Sequence, residues 1–280
     1  MSKIQYKSLH KPLSMLCKIE IAEKTALKGE DFINFFSVEI FPHKTSAWYG
    51  NQSIEIIRKP IPSGALLTNN ADVFARQVSA TLNQLTLKLG LNGVPVTIEK
   101  QNELWQRWLN IRSNLANTFT GNWVEPALAE IDKKILPGKT FTHYIMQDLF
   151  LNEYFRNIYN VPFTGNAFYS KRTVHGLCPF PIQFNEKWSL HTSAIEQSIN
   201  FSGKWDKIDD QSGFKKWLKN KTDDRLGEIR VEGQYQLDPV TGWCNALESC
   251  YSLTTNSYKK TLKITLTTIK FNQNGLEHRS

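Results

Sequence analysis

The sequence predicts an α+β protein, a strongly curved, open barrel-like antiparallel sheet around a central helical insertion. Two observations lead there. Both ends of the chain alternate apolar and polar residues with period two, the mark of strands with one buried and one wet face. Between them, apolar residues step by three and four, as on helices, and no parallel strand–helix–strand rhythm breaks the order. The 280 residues are read as a single α+β domain, with strands over about 13–99, helices over about 102–159 and strands over about 186–271.

Leu13, Met15, Cys17, Ile19 and Ile21 alternate with polar residues and give the first strand. Phe32 to Phe41 is the second, and Ser53 to Lys59, closed by Pro60 and Pro62, the third. Phe74, Val78 and Leu82 have helical spacing within a short helix over Asn70–Asn83. Leu85, Leu87, Leu89 and Leu91 then pair back through a type I′ turn at Asn92-Gly93 onto Val94, Val96 and Ile98. Leu104, Trp108, Ile111, Leu115 and Phe119 form a helical stripe with Asn102 as N-cap. A second helix carries Val124, Leu128, Ile131 and Ile135 and stops at Pro137-Gly138. Thr140 caps a third, Phe141 to Tyr159, with Ile145, Leu149 and Phe155 on its apolar side.

An irregular stretch reaches about Gln183, strands resume near Trp188, and Phe214 to Leu218 is a turn or short helix. The C-terminal meander is the clearest pattern. Ile229, Val231, Tyr235 and Leu237 share one parity, Asp238-Pro239-Val240-Thr241-Gly242 turns the chain, and Trp243–Thr255 and Tyr258–Phe271 follow. Strands of a dozen residues span roughly 40 Å, and sheets that long usually twist and curl; hence the barrel-like expectation.

Composition is ordinary for a globular chain, at 40% hydrophobic and 21% charged, with a generous 12% aromatic. The net charge of +8 attracts acidic partners, yet the basic residues are scattered. Lys215, Lys216, Lys219 and Lys221 surround Trp217 and Leu218, which fits a solvated helix better than a nucleic-acid patch. No segment reaches the ~18 apolar residues of a membrane span, so a cytoplasmic location is expected, with neither membrane nor nucleic acid as partner.

Phosphate loops and a GxSxG elbow are absent from the sequence. His175 and Cys178 could meet Cys244 and Cys250 at a metal, but the last two share one strand, ~20 Å apart. All four cysteines, 17, 178, 244 and 250, are therefore expected as free thiols. Asp209-Asp210 and Asp223-Asp224 read as solvated loop charge. No catalytic residue, metal ligand or cofactor is assigned, and the chain is read as not an enzyme.

Two segments carry a family resemblance. Gly93-Val94-Pro95-Val96-Thr97-Ile98 leads through Asn102-Glu103-Leu104 into Trp105-Gln106-Arg107-Trp108, and Asp148 to Tyr159 packs aromatics into one helix. With the Asp238-x-x-Thr241-Gly242 hairpin, they resemble an uncharacterised bacterial family of curved-sheet, open half-barrel-like proteins with a helical insertion. The resemblance covers roughly 80–160, and Leu149 departs from it where an aromatic is expected. It implies an accessory role in contractile secretion systems and supplies no catalytic residues.

The expected function is that of a non-catalytic cytoplasmic protein acting through protein–protein contact, as an adaptor, chaperone-like or immunity-type accessory factor. Its contact patch is expected in the aromatic stretch at Tyr159, Phe163, Phe168, Tyr169, Lys171, Arg172 and Phe180. The alternatives are a binder of an apolar small molecule or lipid in the hollow of the curved sheet, and an enzyme with a noncontiguous site.

Overall fold

Leu13–Thr25 (β1) alternates buried and half-exposed side chains, and in the computed structural model it is the strand on which the two ends of the chain meet. It pairs antiparallel with Gly29–Pro42 (β2) on one side and with Tyr258–Thr268 (β11) on the other. The structure describes residues 3–25, 28–43, 52–61, 70–193, 196–206, 211–222, 224 and 227–269. Pro62, Asp209, Asp210, Asp223 and Phe271 lie outside them.

From β2 the sheet continues through Gln52–Pro60 (β3), Gln84–Leu89 (β4) and Pro95–Glu99 (β5). From β11 it continues through Cys244–Thr254 (β10), Glu228–Leu237 (β9), Gln197–Trp205 (β8), Ile182–Thr192 (β7) and Ala167–Val174 (β6). Every pairing is antiparallel and the eleven strands form one sheet.

The α+β class and the antiparallel sheet match the sequence reading; the curved, open barrel-like shape does not. The strand order ends at β5 on one side and β6 on the other, and the sheet is neither curled nor closed. Curling a sheet takes bulges or glycine kinks inside the strands. The bulges fall at strand ends, between Cys244 and Ala246 and between Lys88 and Leu89, and Gly203 and Gly233 inside β8 and β9 keep their register. Strand length alone was a poor guide to curvature.

The helices are Asn70–Ser79 (α1), Gln101–Thr118 (α2), Val124–Ile135 (α3), Phe141–Ile145 (α4), Leu149–Tyr154 (α5) and Gln211–Lys219 (α6). Leu104, Trp108 and Leu115 on α2 are buried, and the Trp108 indole donates to Asp132 of α3 at 2.7 Å. Helix α2 begins one residue before the expected cap, with Lys100 in a left-handed conformation ahead of it. The expected third helix is two. Asp148 interrupts it, because its carboxylate caps α5 at Leu151 and takes both terminal nitrogens of Arg58 on β3, at 2.8 and 3.0 Å. The Arg58 guanidinium also lies over the Phe150 ring at 4.8 Å, which fastens α5 to the inner face of the sheet.

Turn chemistry decides two further points. At Gly90–Val94 only Gly93 has positive φ, +70°, so the loop is a three-residue one closed by a left-handed glycine and not type I′. A side chain on Gly93 would also strike the rings of Tyr6 and Tyr159. The Asp238–Gly242 turn forms as read, with the Asp238 carboxylate accepting from the Val240 and Thr241 amides.

Candidate protein-contact surface

The segment read as an irregular loop contains β6, whose alternation sends two sets of side chains to opposite faces. Phe168, Ser170 and Arg172 point inward, while Tyr169, Lys171 and Thr173 point out. On the inner side lies a cluster of paired charges. Glu153, 1% exposed, accepts from Arg156 at 2.5 Å, Arg172 at 2.8 Å, Ser249 at 2.7 Å and the Tyr251 hydroxyl. Glu186 accepts from Arg172 Nε and from the Trp188 indole, each at 2.9 Å. The Arg156 guanidinium lies over the Phe201 ring at 4.2 Å.

Two arginines and two glutamates balance. Burial by itself would raise the Glu153 carboxyl; Arg156, Arg172 and the Tyr251 and Ser249 hydroxyls outweigh it and hold it down to about 2. Glycine makes the room. A Cβ at Gly203 would come within 2.9 Å of Glu186 Cγ, and one at Gly233 within 2.3 Å of the Phe201 ring. The cluster ties the end of α5 to β6, β7 and β10 and is closed to solvent, which suits a fastening and not a reaction centre.

The outer face of the same four strands is different. Register places Lys171, Asn185, Lys204 and Arg230 opposite one another in a row across β6, β7, β8 and β9. The next outward row runs Tyr169, Lys187, Ser202 and Glu232. These side chains wall an open groove of about 760 Å³. Lys171 is paired with Asp206 at 2.7 Å and Arg230 with Glu228 at 2.5 Å. Among the described residues, Lys187 and Lys204 have no acidic partner.

The seven residues of the expected patch divide. Tyr159 is buried, edge-on to Tyr6 and donating to the Gly242 carbonyl at 3.2 Å. Phe163 is buried against Phe168, itself half-buried against Trp188. Phe180 is half-buried between Phe214 and Trp217. Arg172 belongs to the charge cluster. Tyr169, 71% exposed, and Lys171, exposed though paired with Asp206, stay at the surface. Lys187, Lys204 and Arg230 join them only through cross-strand register. Their outward parity is visible in the sequence, whereas the pairing that aligns them is not.

Among the described residues no group of three or more His, Cys, Asp or Glu side chains is arranged to hold a metal, and no helix is long and apolar enough to cross a membrane. No protein-family model matches the chain, and no curated protein does. Among solved structures the chain is similar to one of lipovitellin, described by its lipid–protein interactions. Identity is 9% and the TM-score 0.44, over 95% of this chain and 26% of that one. The chain thus spans about a quarter of that protein, and a likeness so weak assigns neither fold family nor ligand. None of these comparisons ties the chain to the bacterial family its motifs resemble.

Proposed function

We propose that this chain is a non-catalytic binding protein that takes a protein partner on the outer face of β6–β9. One observation carries the reading: Lys204 stands directly opposite Arg230, with Lys171 in the same row and Lys187 in the next. Like charges opposite each other on a sheet destabilise it by about 0.2–1 kcal/mol. Glu228 answers Arg230 and Asp206 answers Lys171, but Lys204 and Lys187 have no acidic partner among the described residues, which favours a counter-charge brought from outside. Tyr169 stands beside the row as an exposed aromatic, a residue type that anchors protein interfaces.

The second reading, an apolar molecule or lipid held against the sheet, requires space on its inner face. Phe150, Phe184, Tyr235 and Tyr251 fill that side, each fully buried, which supports the outer face instead.

A photo-crosslinking amino acid at Tyr169, compared with one at exposed Val96 on the opposite edge strand, tests the proposal. A discrete protein adduct in cells from position 169 alone is expected. Equal adducts from both positions, or none from 169, count against it.

A further inference from the structure

The groove ends at β6, which has no strand on its other side among the described residues, and the phase of that edge can be read from the hydrogen bonds. Leu190 N donates to Asn166 O at 3.0 Å, so Asn166 and every second residue after it turn their backbone groups toward β7. Ala167, Tyr169, Lys171 and Thr173 turn theirs away. Ala167 exchanges both of its bonds with Thr164, at 2.9 and 3.1 Å. Among the described residues, Tyr169, Lys171 and Thr173 are left facing outward along the edge, and the Lys171 carbonyl accepts just a long 3.4 Å bond from Ser170 Oγ. These three residues also carry their side chains on the cationic outer face. An edge so exposed is a template for another strand.

We infer that β6 accepts an extended acidic segment of the partner protein as a twelfth strand, its alternate Asp or Glu side chains lying on the outer face beside Tyr169 and Lys171. The inference rests on the proposed protein-binding role and adds the partner's chemistry and mode of docking. In strand addition the main chain supplies affinity, and alternate side chains supply specificity. Paired residues on adjacent strands point to the same face, so residues set opposite Tyr169 and Lys171 project toward the groove. Lys187 lies on β7, two strands from the added one, and with Lys204 and Arg230 it extends the positive field that draws the segment in. A second copy of this chain is the poorer occupant, because pairing β6 with β6 brings one Lys171 toward another.

The test is selection from a displayed library of random 12-residue peptides against the full chain, followed by synthesis of the best binder. Expected are acidic residues at every second position and roughly tenfold weaker binding to K187E/K204E/R230E, with little loss for K133E/K134E/K139E, the same charge change on exposed helix-side lysines. N-methylation of alternate amides should abolish binding in one phase and spare it in the other. Peptides without acidic alternation, or no enrichment at all, overturn the inference. So do indifference to N-methylation in both phases, tighter binding of a single-stranded oligonucleotide than of any peptide, or a dimer whose formation blocks the edge. Each of these leaves the crosslink from Tyr169 standing if the broader function is right. Loss of that crosslink with peptide binding intact would instead place the physiological partner elsewhere.

Discussion

Lys204 of β8 and Arg230 of β9 are cross-strand partners, two cations set opposite each other on the exposed face of the sheet. Lys204→Glu converts the repulsion into an opposite-charge pair. It should raise stability by about 0.2–1 kcal/mol while weakening partner capture. Chemical denaturation and the Tyr169 crosslinking yield, measured on the same variant, check both directions. A change of the same sign in both would make the row a structural feature.

Arg172 sits on the other face of the same sheet region, and its loss should behave in the opposite way. Arg172→Ala removes one of the two arginines that balance the buried Glu153 and Glu186, leaving Arg156 alone against both carboxylates, and should cost about 3–5 kcal/mol. Tyr169→Ala, at an exposed position, should fall within about 0.5 kcal/mol of the parent. Urea melts of the two variants check the contrast.

Acid should release the cluster. The Glu153 carboxyl is held from its ordinary 4.5 down to about 2, so its contribution to stability is fully present above pH 4.5 and is lost as pH falls toward 2. The loss is on the order of 3 kcal/mol. Denaturation midpoints followed between pH 5 and pH 2 should fall, and Glu153→Gln should flatten that limb from a lower starting stability.

The four cysteines are free, as read from the sequence, and differ in access. Burial pushes the Cys178 and Cys244 thiols up to about 12 and raises that of Cys17 as well, whereas Cys250 is only half-buried on the outer face. A thiol reagent at pH 8 should modify Cys250 first, and all four residues only after unfolding.

The C-terminal meander and the α2 stripe were legible because a single local period governs them. Tyr235, Tyr251 and Trp108 lie where that period places them. Strand β6 was not legible, since Ser170 and Arg172 occupy its inward positions and break the apolar alternation. The placement of Arg172 depends on Glu153, Glu186 and Tyr251, which come from three other elements. The break at Asp148 follows from Arg58, ninety positions away in sequence. The candidate surface was half visible. Tyr169 and Lys171 could be picked out as residues, but Lys187, Lys204 and Arg230 joined them only once register was known. That the sheet stays open lay beyond the sequence pattern, because closure depends on strand pairing and on where bulges fall and not on strand length.

Hydrogen exchange on the full chain, with and without the partner captured through Tyr169, tests the central claim most directly. The amides of Tyr169, Lys171 and Thr173 face away from β7 and should exchange rapidly in the free protein. Partner binding should slow those amides selectively, leaving the β4–β5 hairpin at the opposite edge unchanged. Protection centred on that hairpin or on the exposed side of α2, with the β6 edge still exchanging freely, would contradict the account.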